Sequence, residues 1–399
     1  MSCSKIPAAC WVLPLLWFGP ALHAQTLTLQ QALDAALQHH PSVKGANLMA
    51  QQQQQLLPGA GGLADPLVTV ESPTGNFYTL GVTQSFSLPG VYRRQKDLQR
   101  ARITQTESAV TVALQEIKYQ TALAYTEWQY RQALVDQLTA QDSTLQTLAT
   151  AADRMFREGQ TDAVAAQFAR LQAATLRTQL RQATEAVIIA QAQLYTLAGL
   201  TGTYVPEPIN LGQLLRLDPV QPDSVAWRNN PALQVLEQEI LVADRTVAVA
   251  KSRGLPEFTL GYINQGERNS PVGNRFNAGV SIPLWRKQYN AQTAAARTGV
   301  EVARQALAAQ SLALDAAYRQ AAGEAEKARR AMEDYEQQVL PAARAMSEAS
   351  RRLYEGGLTD LVTYLRNRKD ALDVEMDYWA LVWEALEVEI RIKSLSGKL

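Results

Sequence analysis

Phe156–Asp162 reads FREGQTD, and Tyr354–Asp360 reads YEGGLTD. The shared pattern, aromatic-x-x-Gly-x-Thr-Asp, recurs 198 positions apart in a chain of 399 residues with no low-complexity repeat. Gly lets the backbone reverse with positive φ, and Thr or Asp can cap a following helix, so each copy reads as a turn between two helices. Three further anchors repeat in the same order. YTLAGL (Tyr195–Leu200) is matched by IKSLSGKL at the C-terminus, with Gly199 and Gly397 again 198 apart. HHPSV (His39–Val43) matches NNPAL (Asn229–Leu233), 190 apart, and SFSLPG (Ser85–Gly90) matches GVSIPL (Gly279–Leu284), with Pro89 and Pro283 194 apart. Anchors in constant order and at nearly constant offset mark an internal duplication. The halves are expected at 25–205 and 206–399.

Each half predicts the same order. A short helix starts at Thr28 or Ser224 and stops at Pro41 or Pro231. A second helix runs to the Pro58–Gly62 breakers or to Gly254. A pair of strands follows (about 66–90 and 256–285), then a very long helix, the Gly-x-Thr-Asp turn, and a return helix ending at Gly199 or Gly397. Val91–Arg157 contains no Pro or Gly and would span about 100 Å as one helix. Arg286–Glu355 is similar, interrupted by Gly299, Gly323 and Pro341. The two shorter helices of a half, placed end to end, nearly match the long one.

The last helix carries two apolar stripes. One holds Leu365, Leu372, Met376, Trp379, Trp383, Leu386 and Ile390, broken by Lys369; the other holds Ala371, Val374, Tyr378, Leu381, Ala385, Val388 and Ile392. A two-helix coil needs one seam, whereas two seams suit a helix with a neighbour on each side, as in a curved wall. A plain antiparallel bundle remains the alternative at this point.

The strand segments decide the environment. Tyr78, Leu80, Val82, Phe86 and Leu88 alternate with Thr79, Gly81, Thr83, Ser85 and Ser87, with Gln84 the exception; Phe276, Ala278, Val280, Ile282 and Leu284 alternate with Asn277, Gly279 and Ser281; Phe258, Leu260 and Tyr262 alternate with Thr259 and Gly261, and with Gln265 further on. Segments with one apolar face and one face of small polar residues suit transmembrane strands around a wet lumen, with Thr79, Thr83, Ser85, Asn277 and Ser281 facing that lumen. Half-buried hairpins of a soluble sheet are the competing reading. Four strands cannot close a barrel, and lipid does not tolerate open strand edges, so membrane strands here require an oligomer.

Composition agrees. Charge is balanced, with 38 basic and 38 acidic residues, so nothing calls for nucleic acid. Lys5, the apolar run Ala8–Phe18 and the small residue Ala24 fit a secretory signal peptide over 1–24. Both cysteines, Cys3 and Cys10, fall inside it; Cys10 precedes the apolar run rather than following it, which reads against a lipoprotein site. The mature chain then holds no thiol, and no later run reaches the length of a membrane-spanning helix.

The twofold repeat, the paired strand segments and the Y-x-x-G turn resemble the TolC-type outer-membrane efflux family over essentially the whole mature chain. The resemblance implies a mainly α, internally duplicated chain whose long antiparallel helices form an α-barrel, with four strands per chain contributing to a shared trimeric, twelve-stranded β-barrel. It implies a homotrimer in outer-membrane lipid, fed by an inner-membrane pump of the resistance–nodulation–division or cation-efflux type through a periplasmic adaptor. It places Phe156, Gly159, Thr161, Asp162, Tyr354, Gly357, Thr359 and Asp360 at a periplasmic tip that gates the tunnel and meets the adaptor. Several family members carry acidic residues six and nine positions after the second turn glycine; here those positions are Thr363 and Arg366, so an acidic ring is not carried over, and Arg366 or Arg368 would place positive charge at the entrance. A type I secretion channel and a periplasmic coiled-coil scaffold remain as alternatives.

Other motifs are weaker. His39-His40 corresponds to Asn229-Asn230 in the second half and reads as a helix-end pair rather than a metal site. Arg93, Arg94, Lys96, Arg100, Arg102, Arg286 and Lys287 follow the strand pairs, where basic residues meet either water or anionic head groups. No phosphate loop, nucleophile–base set or catalytic carboxylate pair is present, so neither an enzyme nor a cofactor is expected.

Overall fold

The computed structural model describes residues 25–72, 75, 78–211, 225–264 and 274–399. The expected signal segment 1–24 with Cys3 and Cys10, and also Phe77, Ser224 and Gln265, lie outside them. The first half runs β1 (Gln25–Leu27), α1 (Leu29–His39), α2 (Pro41–Gln55), β2 (Leu67–Glu71), β3 (Thr79–Ser87), α3 (Pro89–Arg157), α4 (Ala163–Ala198) and β4 (Tyr204–Pro206). The second half runs through a 3-10 turn (Ala226–Asn229), α5 (Pro231–Ser252), β5 (Glu257–Asn264), β6 (Asn274–Ser281), α6 (Arg286–Asp334), a π turn (Tyr335–Val339), α7 (Leu340–Glu355) and α8 (Leu361–Leu395).

Local chemistry explains the boundaries. Thr28 caps α1 in a reciprocal box with Gln31, satisfying two otherwise orphaned donors. His40 and Asn230 occupy equivalent places: each precedes a proline at the first helical position, and each side chain accepts the backbone N–H two residues on, at 3.2 and 2.9 Å. They are helix caps, which is their role here. α3 then continues for 69 residues, about 100 Å at 1.5 Å per residue. α2 lies along the first part of α3, where Gln99 Nε2 donates to the Gln53 carbonyl at 2.8 Å. α4 lies along its far half, where Arg170 pairs with Asp153 at 2.6 Å.

The two halves close in the same manner. Gly199 ends α4 at φ +62°, and a Cβ there would stand 2.9 Å from the His39 Cβ; Gly397 follows α8 at φ +68°, and a Cβ there would stand 2.8 Å from the Asn229 carbonyl oxygen. In each half, the end of the return helix abuts the residue pair that opens the second helix, too tightly for a side chain.

The core is distributed along the coils rather than gathered in one centre. Toward the turns, Leu138, Leu145, Ala152, Ala165, Leu176, Leu361 and Leu365 unite α3, α4 and α8. Midway, Leu27, Ala32, Tyr125, Trp128, Ala190 and Leu194 bury one another, and Met332, Leu340, Tyr378 and Val382 form a third group. The small alanines at these seams let helix backbones approach closely.

Four features depart from the expected layout. β1 and β4 form a short parallel pair, Gln25 opposite Tyr204, that no alternation announced. In the second half the described part of the expected short helix before Pro231 is a 3-10 turn, Ala226–Asn229. Gly299 and Gly323 leave α6 unbroken; the interruption is the π turn just before Pro341. Proline has no N–H to return and its ring crowds the preceding turn, and the wider π turn absorbs that defect without ending the rod. Val382, between the two stripes of α8, is fully buried. Of the Thr-Asp pairs expected to cap α4 and α8, the aspartates Asp162 and Asp360 supply the capping side chains, as expected.

Candidate functional site

The strands form one antiparallel sheet in the order β2-β3-β5-β6. Register places Val68, Val82, Tyr262 and Phe276 in one row and Gln84, Leu260 and Ala278 in the next, with Phe86, Phe258 and Val280 beyond. Leu80, Val82, Phe258, Leu260, Phe276 and Val280 are all exposed, so this apolar face has no cover among the described residues. The same register puts Thr79, Thr83, Ser85, Asn277 and Ser281 together on the opposite face.

That small face is built on three cross-strand pairs of glycine with a polar residue: Gly81 with Thr69, Gly261 with Asn277, and Gly279 with Thr259. A Cβ on these glycines would lie 2.5 Å from Thr69 Oγ1, 1.9 Å from Asn277 Oδ1 and 2.6 Å from Thr259 Oγ1. The polar side chains therefore fold over bare backbone, the arrangement of a sheet curled toward its small face. Among the described residues the outer edges of β2 and β6 carry no strand partner. Among the described residues no helix is long and apolar enough to cross a membrane, a statement that does not bear on strands.

The two turns lie at the far end of the long helices from this sheet, and they are closed by the same hydrogen bonds. Gln160 N donates to the Met155 carbonyl and Leu358 N to the Leu353 carbonyl, both at 2.8 Å; Gly159 and Gly357 sit at φ +72° and +70°. Asp162 accepts from Ala165 N at 2.7 Å, and Asp360 from Thr363 N at 2.9 Å. Phe156 is exposed, whereas Tyr354 is half-buried, stacked on Tyr364 with centroids 5.0 Å apart, its hydroxyl toward Met155 Sδ at 3.8 Å. Thr161 and Thr359 are half-buried beside the capping aspartates.

The Asp360 carboxyl is held below its ordinary value, first by the Thr363 backbone N–H and then by the Thr363 hydroxyl. A depressed carboxyl gives stability that is full above its unfolded-state value and is lost as pH falls through the folded one. Hydrogen exchange at the first-turn amides of α8 is therefore expected to accelerate only on acidification below the ordinary carboxylate range. Asp360→Asn, which keeps the cap without the charge, should abolish that step; a step that survived would assign the effect to another group.

Past the second turn, Thr363 and Arg366 are exposed, and Arg366 has no ion-pair partner among the described residues. Arg368 differs: it is half-buried and donates to Gln141 Oε1 at 2.6 Å and toward the Tyr364 hydroxyl at 3.4 Å. Among the described residues neither arginine is ion-paired; Arg368 is held by two neutral partners, whereas Arg366 is exposed. The Arg368–Gln141 contact joins a set that ties α8 to α3: Gln137 with Glu375, and Tyr130 stacked on Trp383 at 5.4 Å. Partners more than 200 positions apart carry no local signal, and these ties were invisible in the sequence. Nearby, Tyr378 donates to Glu336 inside the π turn and stacks on Tyr335; burial pushes its hydroxyl well above the ordinary range. Among the described residues no group of His, Cys, Asp and Glu is placed to hold a metal ion.

Residues 224–398 match the family model described as outer membrane efflux protein. No curated protein matches the chain in sequence. In structure the chain is similar to CusC, from crystal structures concerned with folding and transmembrane channel formation, with TM-score 0.79, 15% identity, and 99% of this chain and 100% of that chain covered. It is similar to the CmeC outer membrane channel of Campylobacter jejuni, with TM-score 0.77, 14% identity, and 100% and 94% covered. It is also similar to the open state of the MtrE outer membrane channel of Neisseria gonorrhoeae, with TM-score 0.71, 14% identity, and 92% and 88% covered. At such identities the likeness is one of fold.

Proposed function

We infer that this chain belongs to the TolC-type outer-membrane efflux family and is the outer-membrane duct of a tripartite efflux system, a reading supported by the match of residues 224–398 to the outer membrane efflux protein model and by the fold. It is a passive channel that carries small molecules or metal ions from an inner-membrane pump. The observation that carries the reading is the four-stranded sheet with an uncovered apolar face, a small polar face and two open edges, set at one end of coils about 100 Å long. In lipid each open edge demands a strand, and a further copy of the chain supplies it; three copies close a twelve-stranded barrel whose lumen is lined by Thr79, Thr83, Ser85, Asn277 and Ser281. The coils then extend through the periplasm, where most of the chain resides, and the paired turns around Phe156–Asp162 and Tyr354–Asp360 form the tip that meets a periplasmic adaptor. The chain performs no chemical step; the pump supplies the energy.

Native mass measured after separating the membranes and extracting the outer one in mild detergent tests this directly. A trimer in the outer-membrane fraction is expected. A monomer in the soluble periplasmic fraction would overturn the duct and favour a coiled-coil scaffold.

Arg366 sets the charge of the entrance in this reading. Three unpaired guanidinium groups in a narrow ring repel cations and favour anions. With the trimer in a planar bilayer under a salt gradient, Arg366→Asp is expected to move the zero-current potential toward cation selectivity. An unchanged potential removes Arg366 from the permeation path.

A further inference from the structure

The end of the sheet nearest the helices carries a collar of cations without ion-pair partners among the described residues. Lys251 and Arg253 close α5 just before β5; Arg93, Arg94 and Lys96 open α3 just after β3; Arg286 and Lys287 open α6 just after β6. All seven are exposed, and among the described residues none makes an ion pair. In α6–α8 several arginines are paired instead: Arg329 and Arg330 share Glu326, Arg351 and Arg352 share Glu348, and Arg391 bridges Glu324 and Glu387. The acidic residues at this level are Asp65, Glu257 and Asp97; Asp97 is taken by Arg100 at 3.4 Å, and Glu257 accepts from Ser87 Oγ at 3.5 Å.

For the five cations at helix starts, Arg93, Arg94, Lys96, Arg286 and Lys287, the placement is electrostatically adverse; Lys251 and Arg253 stand at a helix C-terminus, where positive charge is favoured. Positive side chains belong at helix C-termini, and acidic ones in the first turn. α3 and α6 reverse this, with no acid in the first turn and no side-chain cap, while the first-turn or second-turn positions are basic. Such a start is stabilised when anions stand beside it. Immediately on the sheet side lie Ile282, Leu284 and Trp285, exposed at 61%, 71% and 82%, which continue the apolar face of the strands toward the cations. An exposed tryptophan between an apolar band and a basic ring is the pattern of a membrane–water interface.

We propose that this collar binds the head groups of anionic glycerophospholipids in the leaflet facing the helices. The apolar band takes the acyl chains, Trp285 sits at the ester level, and Arg93, Arg94, Arg286 and Lys287 engage the phosphates. The proposal rests on the sheet crossing a membrane, and it adds that the leaflet must supply negative charge.

The test uses the full mature chain, refolded or inserted into vesicles of phosphatidylcholine alone or with phosphatidylglycerol, then extracted and weighed with its retained lipid by native mass spectrometry. Phosphatidylglycerol should be retained over phosphatidylcholine, and the combined variant Arg93→Gln, Arg94→Gln, Arg286→Gln, Lys287→Gln should lower that retention by roughly tenfold or more. The variant Arg177→Gln, Arg181→Gln, which removes the same kind of charge from exposed positions of α4, should retain lipid as the parent does. Insertion into both vesicles with equal retention of the two lipids overturns this proposal alone, and so does an unchanged quadruple variant. Release of the bound lipid by inorganic phosphate, but not by chloride at equal ionic strength, would assign the collar to free phosphate and overturn it too. A chain that enters neither vesicle overturns the membrane reading together with this one.

Discussion

Leu260→Arg is expected to abolish stable membrane assembly. Leu260 lies in the middle of β5, a strand paired on both sides, and its side chain is exposed on the apolar face. An arginine at the midplane of a lipid-facing strand costs about 2–4 kcal/mol. Three symmetric copies bring the cost to on the order of 6–12 kcal/mol per trimer, comparable with the whole stability of an ordinary domain. The measurement is the fraction of chain that migrates as a heat-sensitive trimer on semi-native gels after vesicle insertion. Asn277→Arg is the informative companion, because Asn277 pairs with Gly261 on the small face. It should still insert and instead change conductance and ion selectivity. Equal tolerance of both arginines would mean that neither face meets lipid.

Trp128→Ala should be the most damaging substitution in the coils. The indole is 2% exposed, meets Tyr195 edge-on at 6.2 Å, and belongs to the cluster that receives Leu27, Ala32 and Leu194. Removing a buried tryptophan costs roughly 3–5 kcal/mol through lost burial and the cavity left behind. The loss is expected to appear locally rather than as global unfolding. Beside Trp128, the Tyr125 hydroxyl donates to the Leu27 carbonyl at 2.8 Å and accepts from Glu207 N at 3.3 Å, holding β1 and the end of β4 against α3. Limited proteolysis should therefore cut the segment before α1 much faster in the variant, with the distant turns unaffected. Faster cleavage at the turns, and none near Leu27, would contradict this placement of the loss.

The strands were legible because their two faces use different chemistry: Leu80 and Val82 against Gly81 and Thr83 leave no ambiguity of register. The turns were legible because Gly159 and Gly357 need a left-handed backbone, and because an acid three residues before a free amide is a cap. Other features had no local signal. β1 is three residues whose pairing with β4 is imposed by Tyr125, about 100 positions away in sequence. Pro341 announced an interruption but not its form, since a kink, a break and a π turn all satisfy a missing N–H. The periodicity of α8 separated two seams and passed over Val382, which is buried because neighbours converge there from both sides. Sequence left Arg366 and Arg368 equivalent; only packing against Gln141 and Tyr364 distinguishes the engaged one from the exposed one.

The π turn makes the two halves mechanically unequal. α3 is an unbroken rod of 69 residues, whereas its counterpart is jointed at Tyr335–Val339, 16 residues of α7 short of the second turn. In the proposed trimer, three such chains alternate stiff staves with jointed ones. The softest deformation of that ring is then threefold, because bending strain collects where the helical ladder is already widened. A ligand that grips the ring at all six stave pairs thus meets two kinds of surface, three that hold their shape and three that yield.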